Sequence, residues 1–193
     1  MQTLHAEEAA IARAAELLRA GEVVAYPTET RYGLAVRFDD GDAIARLVAV
    51  KGRGDQPLSV LVSNHEMLER VVDPSAISRR ARELMTRHWP GPLTLVLPGR
   101  NTLHRALRNA EGGVGVRISP DPVAAALVDA AGLPLTATSA NLSSEPAASS
   151  AEEAALAGVA LILDDGPRDG QPSTVAVVSG EAVKVLRAGG VAL

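Results

Sequence analysis

Apolar positions along the 193-residue chain follow two alternating rhythms. Between Glu7 and Ala20, Ile11, Ala14 and Leu18 recur at helical spacing, and Gly21 suits the left-handed turn that ends such a helix. Val23–Tyr26 is a short continuous apolar run stopped by Pro27, and "YGLAV" follows as a second one. The pattern then predicts a helix over Asp42–Val50 that ends at Gly52, and a strand over Pro57–Val62. Ser63 and Glu66 have capping-box spacing, so a helix is expected to start at Ser63. Another is expected from Ser75 to His88, stopped by "WPGP". Leu93–Leu97 and Val114–Ile118 read as strands. Asp121-Pro122 is a strong helix start, and Gly132 closes that helix. Leu135–Thr138 and Val159–Leu163 read as strands, with a second capping box at Ser150 and Glu153 between them. Thr174–Val178 and Ala182–Leu186 flank "SGE" as a hairpin. Intermixed helices and buried strands predict one α/β domain over residues 1–193, built on a twisted mixed sheet with flanking helices.

Composition narrows what such a domain can do. Hydrophobic residues make up 47% of the chain, yet there are one Trp, two Tyr and one Phe, so few rings are available to stack on bases. The formal net charge is −4, so any anion site must be local rather than a global basic field. With no cysteine, disulfides, thiolate zinc sites and cysteine nucleophiles are excluded. The N-terminus lacks the apolar core of a signal peptide, and the longest apolar run, Ala154–Leu163, is far short of a bilayer span. A soluble, cytoplasmic protein with no membrane partner is expected.

Several common chemistries are missing. His5, His65, His88 and His104 lie apart without metal-binding spacing, so no resident metal is expected. There is no phosphate-binding G-x-x-x-x-G-K-[ST] loop and no G-x-S-x-G elbow. Gly112, Gly113 and Gly115 precede a strand, where a dinucleotide fingerprint would follow one.

What remains is a series of polar clusters beside apolar strands. Thr28, Glu29 and Thr30 follow the first buried strand; Lys51, Arg53 and Gln56 occupy a Gly-rich turn. Thr136, Thr138, Ser139 and Asn141 form a third cluster, while Ser173, Thr174 and Arg187 lie near the C-terminus. Hydroxyls at strand ends commonly cap helices or fill turns, and cations on turns are commonly solvated. Arg117 differs, because a guanidinium between Val116 and Ile118 is costly to bury unless a protein carboxylate or an anionic ligand pairs with it. No carboxylic base is evident. Cations, hydroxyls and an amide beside strand ends suit a polyanion, and suit chemistry in which charge develops on phosphate.

The fragments "YPTETRYGL", "KGR…PLSVLV", "WPGPLTLVL", "VGVR", "TATSANLS", "PSTV" and "VLRAGG" run collinearly over nearly the whole chain. Together they resemble the YrdC/Sua5 family, the L-threonylcarbamoyladenylate synthases, in a short form without an extra C-terminal domain. The resemblance implies a YrdC-like sheet with a large concave cavity, and the union of L-threonine, bicarbonate and Mg²⁺-bound ATP into threonylcarbamoyl-AMP and pyrophosphate. That product would feed a downstream threonylcarbamoyl transferase complex that modifies adenosine 37 of tRNA. Carried over by motif, Lys51, Arg53, Ser139 and Asn141 would be catalytic. The same four, with Gln56 and Arg187, would hold ATP, and Thr30, Arg117, Ala137 and Ser173 would hold threonine. The chain departs from the family pattern at Leu61, where a histidine is frequent. It also has three residues between Arg53 and Pro57 where four are common, and Gly113 and Ala147 where a hydroxyl often contacts ATP. Two other readings stand beside this one: a module for tRNA or double-stranded RNA, and a paralogue that binds nucleotide without threonine activity.

Overall fold

In the computed structural model, residues 1–52 and 56–193 are described; Arg53, a predicted site residue, therefore lies outside the described residues. Strands β1 (Gln2–His5), β2 (Val24–Tyr26), β3 (Gly33–Ala35), β4 (Ser59–Leu61), β5 (Leu93–Pro98), β6 (Gly113–Arg117), β7 (Leu135–Ser139), β8 (Leu161–Asp164), β9 (Thr174–Ser179) and β10 (Ala182–Arg187) form one mixed sheet. Their spatial order is β1-β8-β2-β3-β7-β4-β6-β5-β9-β10. Helices α1 (Glu8–Arg19), α2 (Gly41–Lys51), α3 (His65–Val71), α4 (Arg79–His88) and α5 (Pro122–Ala131) accompany it, and α1 packs on α5.

Local chemistry explains most of these boundaries. The Asp40 carboxylate accepts from the amides of Asp42 and Ala43 to start α2, and Gly52 ends it in the left-handed region. Asp121 does the same for α5 through Val123 and Ala124, with Pro122 at the first turn and Gly132 at the end.

Three expected starts are corrected. Asn64, not Ser63, caps α3, because its longer side chain reaches the Met67 amide at 2.9 Å. The segment from Ser75 to His88 is two elements: a 3-10 turn at Pro74–Ala76 capped by Asp73, then α4 capped by Ser78. Ser150 opens only a turn, since the Glu153 carboxylate closes back on the amide and hydroxyl of Ser149 instead of initiating a helix. Strand β1, polar and exposed, was not legible from its pattern; it forms by parallel pairing with β8.

The two halves of the sheet are buried differently. Every residue of β2 and β3 is buried. In β6 burial alternates, Gly113 and Gly115 being half-buried and Val114 and Val116 buried, while in β5 and β7 it does not: Leu93, Thr94, Leu95, Leu97, Leu135 and Thr136 are buried, and Val96 and Ala137 are half-buried. Registers place the half-buried set on one face, with Val96 opposite Gly115 and Ser59 opposite Ala137. That face carries small residues at Ser59, Gly113, Gly115 and Ala137, where it is partly open, and buried side chains at Leu61, Leu135 and Thr94.

Candidate functional site

The open face is bounded by polar groups at both ends of the strands. At one end, Ser139 closes β7 and pairs with Gly33 of β3, which pairs in turn with Tyr26 of β2. The three share a face. The Tyr26 ring lies across Gly33, where any added Cβ would come within 3.1 Å of the ring. Glycine there lets the phenol lean toward β7. Tyr26 is buried, and burial pushes its phenol up to about 12, so it remains a neutral donor.

Lys51, the last residue of α2, is only 3% exposed. Its Nζ donates to the Ser139 carbonyl at 2.5 Å, the Asn141 carbonyl at 2.9 Å and Asn141 Oδ1 at 3.1 Å. Ser139 Oγ donates to the same Oδ1, and the Ser143 amide donates to the Lys51 carbonyl. The structure therefore brings together three of the four residues expected to act as one group. It does so in a particular way: the ammonium organises the Ser139–Asn141 loop through its own backbone. Gln56 is exposed ahead of β4, and Ala137 lies on the open face between the two ends.

At the other end, Arg117 closes β6 in register with Leu61 of β4. Its Nη1 lies 2.8 Å from Glu29 Oε1, and the other carboxylate oxygen accepts from Ser119 Oγ. Glu29 follows β2, four strands away from β6 in the sheet order. On a flat sheet that separation is about 19 Å, so contact between them requires the sheet and its loops to curl over the open face. Of the two partners left open for Arg117, a protein carboxylate or an anionic ligand, the structure supplies the first in Glu29.

Beside Arg117 is a second guanidinium. Arg187 donates through Nε and Nη2 to the Ser173 carbonyl at 3.1 and 2.8 Å, and through Nη2 to Ser173 Oγ at 3.0 Å. Ser173 Oγ also bonds Thr94 Oγ1 at 2.9 Å. Desolvation, reinforced by the nearby charge of Arg117, pulls the Arg187 pKa below its ordinary value. Among the described residues Arg187 has no salt bridge and Arg117 has one. Glu29 thus pairs with Arg117 alone, and among the described residues Arg187 is held only by Ser173. Thr30 is buried nearby, with its Oγ1 2.9 Å from that of Thr28. All four expected threonine residues except Ala137 gather at this end, and Arg187, expected with ATP, joins them.

Sequence reasoning did not single out Tyr26, Thr94 or Ser119, and gave Glu29 no role. The one available signal was Arg117, whose burial required a partner. Arg117 sits level with Leu135, and Ser139 is four residues further along β7 and two strands across.

A mixed sheet with cationic and hydroxyl side chains gathered around one face is what the structure presents. Residues 16–189 match the Sua5/YciO/YrdC family model, described as telomere recombination, and the chain belongs to that family. It is 41% identical over 187 residues to threonylcarbamoyl-AMP synthase of Bacillus subtilis strain 168, covering 94% of this chain and 54% of that protein. The crystal structure of P. abyssi Sua5 complexed with L-threonine superposes with a TM-score of 0.90 at 36% identity, over 98% of this chain and 56% of that one. Escherichia coli YciO superposes with a TM-score of 0.83 at 28% identity, over 97% of this chain and 94% of its own. The chain thus spans about half the length of the first two proteins. Among the described residues, no helix is long and apolar enough to cross a membrane.

Proposed function

We propose that this domain is an L-threonylcarbamoyladenylate synthase, a nucleotidyltransferase that converts L-threonine, bicarbonate and ATP into threonylcarbamoyl-AMP, pyrophosphate and water. The observation that carries this reading is the pair of neighbouring guanidinia, Arg117 and Arg187, with one carboxylate partner among the described residues, in a chain that superposes on a threonine-bound Sua5. The cationic end would take the threonine carboxylate, with Thr30 and Ser173 beside it. The Ser139–Asn141 loop, held by Lys51, would meet the nucleotide with Arg53 and Gln56.

The threonine amine would take up bicarbonate as a carbamate with loss of water, and a carbamate oxygen would then displace pyrophosphate from the α-phosphorus. No side-chain nucleophile is needed. The face acts by alignment and by balancing charge on the phosphates. Among the described residues no three metal-ligating side chains converge, so Mg²⁺ would arrive on the triphosphate as part of the substrate. The product would be handed to a transferase that modifies tRNA.

The test is pyrophosphate release from ATP by the purified protein, expected only when L-threonine and bicarbonate are both present. Release independent of threonine would reject the reading. A second reading, nucleotide binding without threonine activity, draws on Leu61: this buried, apolar side chain adjoins Arg117 where the family often has a histidine. Nucleotide binding unaffected by threonine, with no pyrophosphate formed, would favour it.

A further inference from the structure

The Arg117–Glu29 contact raises a question that the proposed reaction leaves open: why a site for a carboxylate should keep a carboxylate of its own. Glu29 is not a buried structural counter-ion, since its side chain retains 18% exposure. Each of its oxygens accepts one hydrogen bond, from Arg117 Nη1 and from Ser119 Oγ. An ionised carboxylate can accept about four, so two acceptor positions are left. Nearby Asp121 is committed differently: it caps α5 through Val123 and Ala124 and pairs with Arg168.

The loop that carries Glu29 is also held in place. Gly170 lies so close that an added Cβ would stand 2.2 Å from the Glu29 carbonyl oxygen, and Arg31 Nη1 donates to the Arg168 carbonyl at 2.8 Å. The chain from Arg168 to Gly170 therefore presses the Glu29 backbone into one position. Here two guanidinia and one carboxylate, all fixed, face the open surface. A free α-amino acid carries the complementary pair of charges on adjacent atoms. Its carboxylate suits the unpaired edges of Arg117 and Arg187, and its ammonium suits Glu29.

We propose that Glu29 reads the α-ammonium group of the amino-acid substrate, so that the site selects a zwitterion over an equally shaped 2-hydroxy acid. This rests on the synthase reading above. A hydroxyl in place of the ammonium forfeits a charge-assisted bond to Glu29. Affinity should fall by about tenfold to a hundredfold.

The test is calorimetric titration without nucleotide, using L-threonine and 2,3-dihydroxybutanoate, in which a hydroxyl replaces the amine. Wild-type protein should bind threonine at least about tenfold more tightly than the analogue. In Glu29→Gln, threonine should weaken and the analogue should not, narrowing the gap below about threefold. Equal weakening of both ligands, with the gap preserved, would mean that Glu29 merely orients Arg117, and would overturn the proposal. So would a wild-type gap below threefold, a result that does not depend on how the variant folds. If the wild-type protein releases pyrophosphate in response to threonine yet either overturning result appears, this inference alone fails. If threonine neither binds nor stimulates release, the synthase reading fails first and takes the inference with it.

Discussion

Lys51 and the Arg117–Arg187 pair are cations at opposite ends of one open face, and the protein treats them in opposite ways. Lys51 is nearly buried, with its ammonium bonded to two carbonyls and an amide oxygen of a single loop. Among the described residues Arg117 has one salt bridge and Arg187 has none, and the charge of Arg117 adds to the cost of charging Arg187. The first arrangement consumes charge to fix backbone; the second keeps charge available. A cation in a binding site can therefore be structural, and its partners rather than its identity decide which role it has.

Substitution at Lys51 should show the largest effect. Lys51→Met leaves the Ser139 and Asn141 carbonyls without their donor, so unfolding in urea should show a loss of about 2–4 kcal/mol. Pyrophosphate release should fall with it, because the loop loses its geometry. Unchanged stability would place Lys51 with the available cations instead.

Arg187→Ala should show the reverse balance. The substitution relieves repulsion against Arg117 while removing bonds to Ser173, so stability should shift by no more than about 0.5 kcal/mol. Ligand affinity should weaken by about tenfold or more. A stability loss as large as that of Lys51→Met would erase the distinction between the two ends.

Arg117→Lys probes the same end more finely. Lysine can keep a point-charge contact with Glu29 but cannot present a planar fork to a second carboxylate. The KM for threonine should rise by about tenfold, that for ATP should stay within about twofold, and the melting temperature should hardly move. Equal changes in both KM values would assign Arg117 to structure alone.

Tyr26, whose phenol leans over Gly33 between the two ends, gives the smallest and most specific signal. Its folded pKa, about 12, is above the ordinary value of 10.0. The protonated phenol is thus favoured in the folded state: its contribution is complete below pH 10 and is lost as pH rises toward 12. Ultraviolet titration of native protein should find Tyr26, assigned by comparison with Tyr26→Phe, ionising near 12, and near 10 in urea. A native midpoint near 10 would mean that the phenol stands in water, outside the packed edge of the site.

Much of this molecule was legible from its sequence because the relevant forces act over a few residues. Gly52, Asp121 and Gly132 act on neighbouring amides and carbonyls, so the end of α2 and both limits of α5 leave a local mark, whereas the Asp40 cap of α2 was seen only in the structure. The short apolar runs mark β4, β5, β6 and β7 for the same reason. Where two capping residues competed within one turn, as Ser63 and Asn64 did, side-chain reach decided and spacing alone misled. Collinear motifs identified the residue types of the site. They could not show the partnerships. Glu29 meets Arg117 across 88 positions, and Lys51 meets the Ser139 carbonyl across another 88. Contacts at that separation leave no periodicity to read. They exist because strand pairing sets β7 between β3 and β4 and curls the loop after β2 over the end of β6. That folding alone decided which cation would be bound up in the backbone and which would be left to meet a ligand.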